Sequence, residues 1–371
     1  MNTSYGPNCL RHLCFRKNRA LVYSLSSNMS KKTKARWKII LNLVMFIGFV
    51  GLVFALRGQI ADSIQQIDKI QWQVLLLLPI WQALNYHAYA KQNQALFAIL
   101  GNHIKYKFLY RVNLELNFVN HVLPSGGVSG FSYFSLRMKD RGVPSAKSSL
   151  VQILRFALVF ITFQVFLFLA LIALSFSGQV NSLVLLVGGS ISTLILVGTL
   201  IAGFIIGSSR RINLFFGFIT KALNKIIHLV RPKHPETIDV EMAKQAFEDL
   251  HKNYVIVKSN WMALKMPIFW SFVANITEIL TLYSVYVAFG HWVNPGAVIL
   301  ALAVANFAGF LSVLPSGIGV YETLMTGMLA VGGIPASVSI PVTVMYRVIS
   351  ITIQIIPGYY LYYTRDKMID A

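Results

Sequence analysis

A five-residue phrase occurs twice, and nothing else in the chain constrains its fold as strongly. Val122-Leu123-Pro124-Ser125-Gly126 returns 191 residues later as Val313-Leu314-Pro315-Ser316-Gly317. Each copy is followed at the same distance by a glycine–aliphatic–proline turn, Gly142-Val143-Pro144 and Gly333-Ile334-Pro335. Beyond each turn one arginine interrupts an apolar run, Arg155 and Arg347, here 192 apart. A short match alone arises by chance. A match that keeps its spacing to a second turn and nearly keeps it to a buried cation reads as an internal repeat.

The repeat sits in a membrane protein. Hydrophobic residues make up 56% of the 371 and charged residues 12%, with a mean hydropathy of +0.61; a soluble domain carries about 25% charged residues. Several apolar runs approach or exceed the roughly 20 residues that span a bilayer, which argues against a soluble helical core. The net charge of +20 would suggest nucleic acid in a soluble protein. Here the bases lie in tails and loops between apolar runs, the pattern of cytoplasmic segments beside anionic lipid, so no nucleic-acid partner is expected. The only cysteines, Cys9 and Cys14, lie in the N-terminal tail and frame no disulfide scaffold or metal site.

Residues 1–38 hold nine Lys or Arg, and no acidic residue precedes Asp62. They read as a basic cytoplasmic tail, disordered or preceding a start at Met29, with an organelle transit peptide as the alternative. A single membrane domain, 39–365, follows. Its predicted spans are 39–56, 72–90, 150–176, 183–206, 261–289 and 337–363. Residues 208–258, with nine bases and five acids, read as a surface excursion of amphipathic helices, Ala243, Phe247, Leu250, Tyr254 and Val257 recurring at helical spacing. Residues 108–140 are apolar enough to enter the membrane, but the helix should break at Pro124 and Gly126-Gly127. The following stretch, 128–139, would make about 18 Å of helix, short of a hydrocarbon core of about 30 Å. It therefore reads as a hairpin that enters and leaves on one side, and the second copy of the phrase makes another.

The fold class is thus an all-α polytopic membrane protein of about six full spans plus two re-entrant helical hairpins. The positive-inside rule places both termini, 91–107 and 208–258 in the cytoplasm. Three spans lie between the hairpins, and an odd number inverts the second. Charge agrees: Arg137, Lys139, Arg141 and Lys147 surround the first glycine–proline turn, and the equivalent stretch around Gly333 has none. An inverted-topology repeat with broken helices near the midplane is the architecture of transporters, in which the breaks build the substrate site.

Three carboxylates lie within apolar segments, Glu115, Glu278 and Glu322, and each must be paired or face a wet cavity. Arg111, Arg155 and Arg347 are the cationic candidates. Backbone N–H groups freed at the two breaks, with these arginines, could hold a phosphate; the plainer reading is that Arg and Glu pair to lock hairpins to spans. Asn117, Asn120, Asn275 and Asn306 could line a polar path or simply bond between helices. His87 and His121 stand alone, so no metal is expected. Ser125 and Ser316 have no Gly-x-Ser-x-Gly elbow and no histidine in both copies. Neither a P-loop nor a Gly-x-Gly-x-x-Gly occurs, so no nucleotide cofactor is expected.

Leu314-Pro315-Ser316-Gly317-Ile318-Gly319-Val320-Tyr321-Glu322, then Gly333-Ile334-Pro335 and Tyr346-Arg347, resembles the C-terminal signature of the lysylphosphatidylglycerol synthase transmembrane (flippase-like, UPF0104) family. Its usual run is Pro-x-Pro/Ser-Gly-Gly-x-Gly-x-x-Glu with an arginine in the next span. Asn120, Pro124, Gly126 and Gly127 match the earlier half-motif, where Phe131 stands in place of Glu322. The likeness covers roughly residues 38–365. It implies an integral lipid-handling protein of the bacterial cytoplasmic membrane, associated with aminoacylated-phospholipid, isoprenoid-lipid or glycolipid pathways, with a synthase or glycosyltransferase as possible partner. The given chain ends shortly after the sixth span, so aminoacyl transfer by this chain alone is not expected.

The resulting expectation is translocation or handling of a phospholipid or isoprenoid/glycolipid. Its head group would occupy a cavity between the hairpins, the phosphate near Arg155 or Arg347, with Glu278 and Glu322 recognising a cationic group or coupling protons. Glu115, Asn120, Pro124, Gly126, Gly127, Asn306, Pro315, Gly317 and Gly319 complete the expected lining. The alternatives are a membrane enzyme of lipid or glycan modification, with Glu322 as base, and an accessory or scaffold subunit for a separate synthase.

Overall fold

The computed structural model describes residues 70–122, 128–178, 181–215, 217–218, 240–311 and 319–364. The basic tail, the first predicted span and both proline breaks lie outside these residues. Every regular element described is helical: α1 Trp72–Leu75, α2 Leu77–Ile99, α3 Tyr106–Val122, α4 Val128–Lys139, α5 Ser145–Phe176, α6 Ser182–Ile206, α7 Val240–Ser259, a 3-10 turn Trp261–Leu264, α8 Lys265–Ala288, α9 Pro295–Leu311, α10 Val320–Val331 and α11 Ala336–Tyr363. By length and composition, four segments can cross a membrane: α5, α6, the 3-10 turn with α8 (Trp261–Ala288), and α11.

The repeat is larger than the motif that reveals it. Helices of 23, 17, 12 and 32 residues, α2 to α5, recur in the same order as 24, 17, 12 and 28 residues, α8 to α11. The turns recur bond for bond. After α2, Asn102 N–H donates to Phe97 O and Gly101 N–H to Ala98 O; after α8, His291 N–H donates to Tyr286 O and Gly290 N–H to Val287 O. After α4 and α10 the same pair closes from Val143 to Met138 and from Ile334 to Leu329. The glycine of each turn has positive φ, 74° and 77° at Gly101 and Gly290, 73° and 84° at Gly142 and Gly333. This is the left-handed helix stop that a Cβ disfavours. Pro144 and Pro335 then start α5 and α11 with the same backbone, φ −59° and −63°.

Packing between the two helix sets is reciprocal. α3 of the first lies on α11 of the second, and α9 of the second lies on α5 of the first. Each contact has a glycine where a side chain would not fit: a Cβ on Gly358 would come within 2.5 Å of Leu114 O, and one on Gly296 within 2.5 Å of Ala170 O. The two leading helices, α2 and α8, pair with each other and run antiparallel. Trp81 Nε1 donates to Ser284 Oγ (3.1 Å), Asn85 Nδ2 to Ala274 O (2.9 Å), and Gln92 Nε2 to Ser271 Oγ (2.6 Å).

The turns gather at two ends of the bundle, and the ends differ in charge. At one, Lys147 Nζ donates to Leu100 O (2.8 Å) and Asn102 Oδ1 (3.0 Å), capping the last turn of α2 with a cation, where the helix dipole favours it. Arg137 and Arg141 lie over the Phe108 ring there, and Arg111 reaches Leu361 O of α11. At the other end, Asn294 donates to Ser177 Oγ (2.6 Å), Asn181 to Val331 O (3.2 Å), and Gln71 N–H to Ala288 O (2.8 Å). Turns 177–181, 289–294 and 332–335 contain no Lys or Arg. Both outer ends of α3/α4 therefore lie at the basic end, and both outer ends of α9/α10 at the uncharged one.

Several predicted boundaries move. The predicted hairpin helix 128–139 coincides with α4. The second span, predicted to stop at residue 90, continues to Ile99. Lys91 suggested a loop, but its ammonium lies 5.0 Å from the centre of the Tyr106 ring, so a long side chain on a continuing helix reaches a polar surface. α5 starts five residues before the predicted 150 because Pro144 supplies the preset first dihedral for Ser145 onward. Of the predicted surface excursion, α7 packs on α5 and α6 and buries Leu250 and Val257 of the predicted apolar stripe.

Candidate functional site

A polar stripe runs down the buried face of α2. Gln82, Asn85, Gln92 and Asn93 are each no more than 9% exposed, and Tyr89 falls on the same face by spacing. Positions 82, 85, 89 and 92 are three and four apart, one side of an α-helix. This stripe is the feature that sequence reasoning missed. Its signal was the period of the amides, which single-residue inspection passes over. α2 is consequently not apolar enough to count with the four crossing segments. Its amides bond across to α8, α3 and α11: Asn85 to Thr277, Asn93 to Asn113, and Gln82 with Gln354.

The three predicted carboxylates meet different fates. Glu115 on α3 is fully buried and fully engaged. Arg111 Nε donates to its Oε1 at 2.9 Å, Arg137 Nε to Oε2 at 2.8 Å, and Tyr133 Oη to Oε2 at 2.8 Å. Arg137 is held in turn by Asp140, at 3.2 Å. Arg111 and Glu115 are four apart on α3, Tyr133 and Arg137 four apart on α4. Two helix faces thus close on each other through one carboxylate, and the cluster locks α3 to α4. Arg137 counted in the sequence only as an orientation signal; its separation of 22 residues from Glu115 hides the pairing.

Glu322 on α10 has two tasks. Its Oε2 accepts the N–H of Gly319 at 2.6 Å, and its Oε1 accepts Arg347 Nε at 2.8 Å. Gly319, with φ +85°, starts the helix; a carboxylate at the third helical position that bonds back to the cap residue satisfies an otherwise orphaned donor. Arg347 lies 4.4 Å from the centre of the Tyr321 ring. The predicted Glu322 and Arg347 are therefore brought together, but as a pair with each other.

Arg155 and Glu278 are different. Among the described residues Arg155 takes part in no ion pair. Its guanidinium rests on the Tyr89 and Phe156 rings at 5.3 and 4.8 Å, in a position only 8% exposed. Glu278 on α8 likewise has no cationic partner; Asn306 Nδ2 of α9 donates to its Oε1 at 2.8 Å. Glu278 and Asn306 open into a cleft lined also by Val159, Phe163 and Asn275. Asn275 binds α5 at Val159 O (3.0 Å) and Thr162 Oγ1 (2.8 Å), one helical turn from Arg155. Tyr89 lies within electrostatic reach of both Arg155 and Glu278, and Tyr321 and Tyr346 within reach of Glu278 and Arg347. The arrangement is a column between the two helix sets: a guanidinium and a carboxyl that have no ion-pair partner among the described residues, with aromatic hydroxyls between them. An ionised group at either end is costly in a low-dielectric interior unless a ligand or water meets it. A ligand bearing an anionic group and a hydrogen-bonding or cationic group complements it.

Of the other predicted residues, Asn306 is in this site through Glu278, and Gly319 through Glu322. Asn120 has its side chain against Gly130 of α4, where any Cβ would clash. Pro124, Gly126, Gly127, Pro315 and Gly317 lie outside the described residues. His87 bonds Tyr106 Oη and His121 bonds Asn117 O; among the described residues no three His, Cys, Asp or Glu converge on a metal-sized site.

The sequence profile of the lysylphosphatidylglycerol synthase TM region matches residues 39–358, which take in both helix sets and the charged column. A UPF0104 membrane protein of Methanothermobacter thermautotrophicus is 26% identical over 172 residues, 41% of this chain and 52% of its own length. Another, from Methanocaldococcus jannaschii, is 26% identical over 145 residues, 38% of this chain and 43% of its own. The matched part of the chain spans about half the length of these curated relatives. Its described elements all helical, four of its described segments long and apolar enough to cross a membrane, and matched by the profile over most of its length, this chain belongs to the lysylphosphatidylglycerol synthase TM region family of multi-pass integral membrane proteins.

Proposed function

We propose that this protein translocates or handles a lipid with a phosphate-bearing head group, a phospholipid or an isoprenoid/glycolipid, within the membrane. The observation that carries the reading is the column itself. Among the described residues Arg155 has no carboxylate partner and Glu278 no cationic one, and they sit in one bundle between two repeated helix sets. A phosphate binds at Arg155, whose planar donors suit phosphate oxygens. Glu278, with Asn306 and Asn275, takes the polar remainder of the head group. Arg347, already neutralised by Glu322, contributes shape more than charge.

The topology we propose has about six full spans with α3/α4 and α9/α10 as re-entrant pairs, the second set inverted relative to the first. Three findings support it. α2 and α8 occupy equivalent places and run antiparallel. The outer ends of the two short-helix pairs lie at opposite ends of the bundle. α4 and α10, 12 residues each, reach about 18 Å, less than a hydrocarbon core. The basic end then faces the cytoplasm, and the charge rule assigns both termini to the same side, in a bacterial inner membrane. A separate synthase or glycosyltransferase would supply the lipid.

Leaflet-resolved labelling of membrane lipids tests the reading. Arg155→Ala and Glu278→Gln should each shift the inner-to-outer ratio of the transported lipid at least tenfold while its total amount holds. If total lipid changes and the leaflet ratio stays as in the parent strain, lipid modification replaces translocation. That alternative, with Glu322 as base, has less behind it, because both Glu322 oxygens already accept bonds.

A further inference from the structure

α6 has no counterpart in either helix set, and its fully buried residues lie only near its two ends. Near its start, Val184 and Gly188 are buried, and a Cβ on Gly188 would lie 3.2 Å from Leu171 of α5 and 3.5 Å from Leu300 of α9. At its end Ile206 is buried, and His251 of α7 donates to its carbonyl at 2.7 Å. Between Gly188 and Ile206 no residue is buried. Gly189, Gly198 and Gly203 have nothing within 4 Å of where a Cβ would stand, and Leu194, Leu196, Leu200 and Phe204 are each more than half exposed. Only Ile191 and Ile195, partly buried, touch the core between those ends, so the middle of α6 is a strap fastened chiefly at its ends and resting lightly on the bundle.

Beneath the strap lies the cleft of Glu278. Ile195, at mid-helix, lines it, with Phe160, Phe163 and Phe307 as walls and Glu278 and Asn306 as the polar floor. The phase beside a 25-residue apolar helix is bilayer hydrocarbon, which can wet the walls but not the floor. A water-soluble solute would be matched to the floor and mismatched to every wall. An amphiphile satisfies both.

We propose that the cleft under mid-α6 is a lateral portal for one hydrocarbon chain of a lipid, running from the bilayer past Ile195 and between the three phenylalanines while the head group remains at Glu278. The portal deepens the function proposed above and rests on it only for the identity of the head group. The strap opens by bending outward between its two fastenings, where the three unpacked glycines offer least resistance. The chain never has to cross a polar surface, because the aromatic walls are continuous with the membrane.

The experiment uses the full chain in cells fed a diazirine-bearing fatty acid, which the cell builds into its own lipids. After irradiation, lipid adducts are mapped by mass spectrometry. The wild type should carry adducts on Phe163 and Phe307 as well as on outward Leu196 and Leu200. Ile195→Trp fills the portal and should lower the Phe163 and Phe307 adducts at least fivefold, leaving those on α6's outer face unchanged. Leu196→Trp, the same bulk on the other side, should change neither inner adduct. Absence of inner adducts in the wild type overturns the portal, and so does their persistence in Ile195→Trp. Inner adducts that behave as expected, beside an unaltered leaflet ratio in Arg155→Ala, uphold the portal and sink translocation.

Discussion

The helix pair α3/α4 and its repeat α9/α10 share lengths, turns and neighbours, yet they handle polar groups in opposite ways. α3 carries Arg111, Asn113, Glu115 and Asn117; α9 carries one polar side chain in its interior, Asn306. In the first pair the charge is closed on itself, one carboxylate between two arginines and a tyrosine, inside the pair. In the second, Glu322 reaches out to α11, and Asn306, at the place equivalent to Glu115 by the offset of 191, reaches out to Glu278 of α8. One copy is a closed wedge and the other, on the function proposed above, a binding wall. The repeated helices supply the frame, and the polar groups differ between the copies.

That contrast can be broken most forcefully at the wedge. Arg137→Met should destabilise the protein by up to ~3–5 kcal/mol, because it takes from a buried carboxylate the less exposed of its two cations. Arg111→Met should cost less, since Arg111 is 21% exposed at its side chain against 6% for Arg137. Thermal unfolding in detergent reads both, and equal losses would mean that the cluster is not organised around Arg137. In the second pair, Glu322→Ala removes both the helix cap and the ion pair and should cost ~2–3 kcal/mol. Glu322→Gln keeps an acceptor for Gly319 N–H and should lose roughly half of that. Next come the repeated turns: Gly101→Ala and Gly290→Ala should each cost ~1–2 kcal/mol, alike within error, because a Cβ disfavours the same left-handed backbone in both. A large difference between them would weaken the equivalence of the two sets. Smallest in stability is Glu278→Gln, expected to cost less than ~1 kcal/mol because no cation is left behind, although it should abolish function. A stability loss like that of Arg137→Met would show that Glu278 is structural.

The frame was largely legible in advance. The twin phrase and its twin turns announced two sets, and the limits of α4 followed from Gly127 on one side and Gly142 on the other. What went unread has common physical causes. Lys91 looked like a loop residue because its charge was weighed and its reach was not. The α2 amides looked incidental because a polar stripe inside a membrane protein shows only in its period. Arg137 looked like an orientation signal because its partner is on another helix.

Taken alone, the amino-acid order determined the membrane setting, the helix sequence of each set and the glycine turns between them. These depend on hydropathy, on local backbone sterics and on hydrogen bonds between residues at most five apart. Only the tertiary structure decided which charges and polar groups meet. The ion pairs Glu115–Arg137 and Glu322–Arg347 and the hydrogen bond from Asn306 to Glu278 join residues 22, 25 and 28 apart. At such separations a pair forms only where helix packing brings two faces together. The same packing leaves Arg155 and Glu278 without an ion-pair partner among the described residues, since electrostatic pairing in a low-dielectric interior depends on ångström-scale approach that no local pattern encodes.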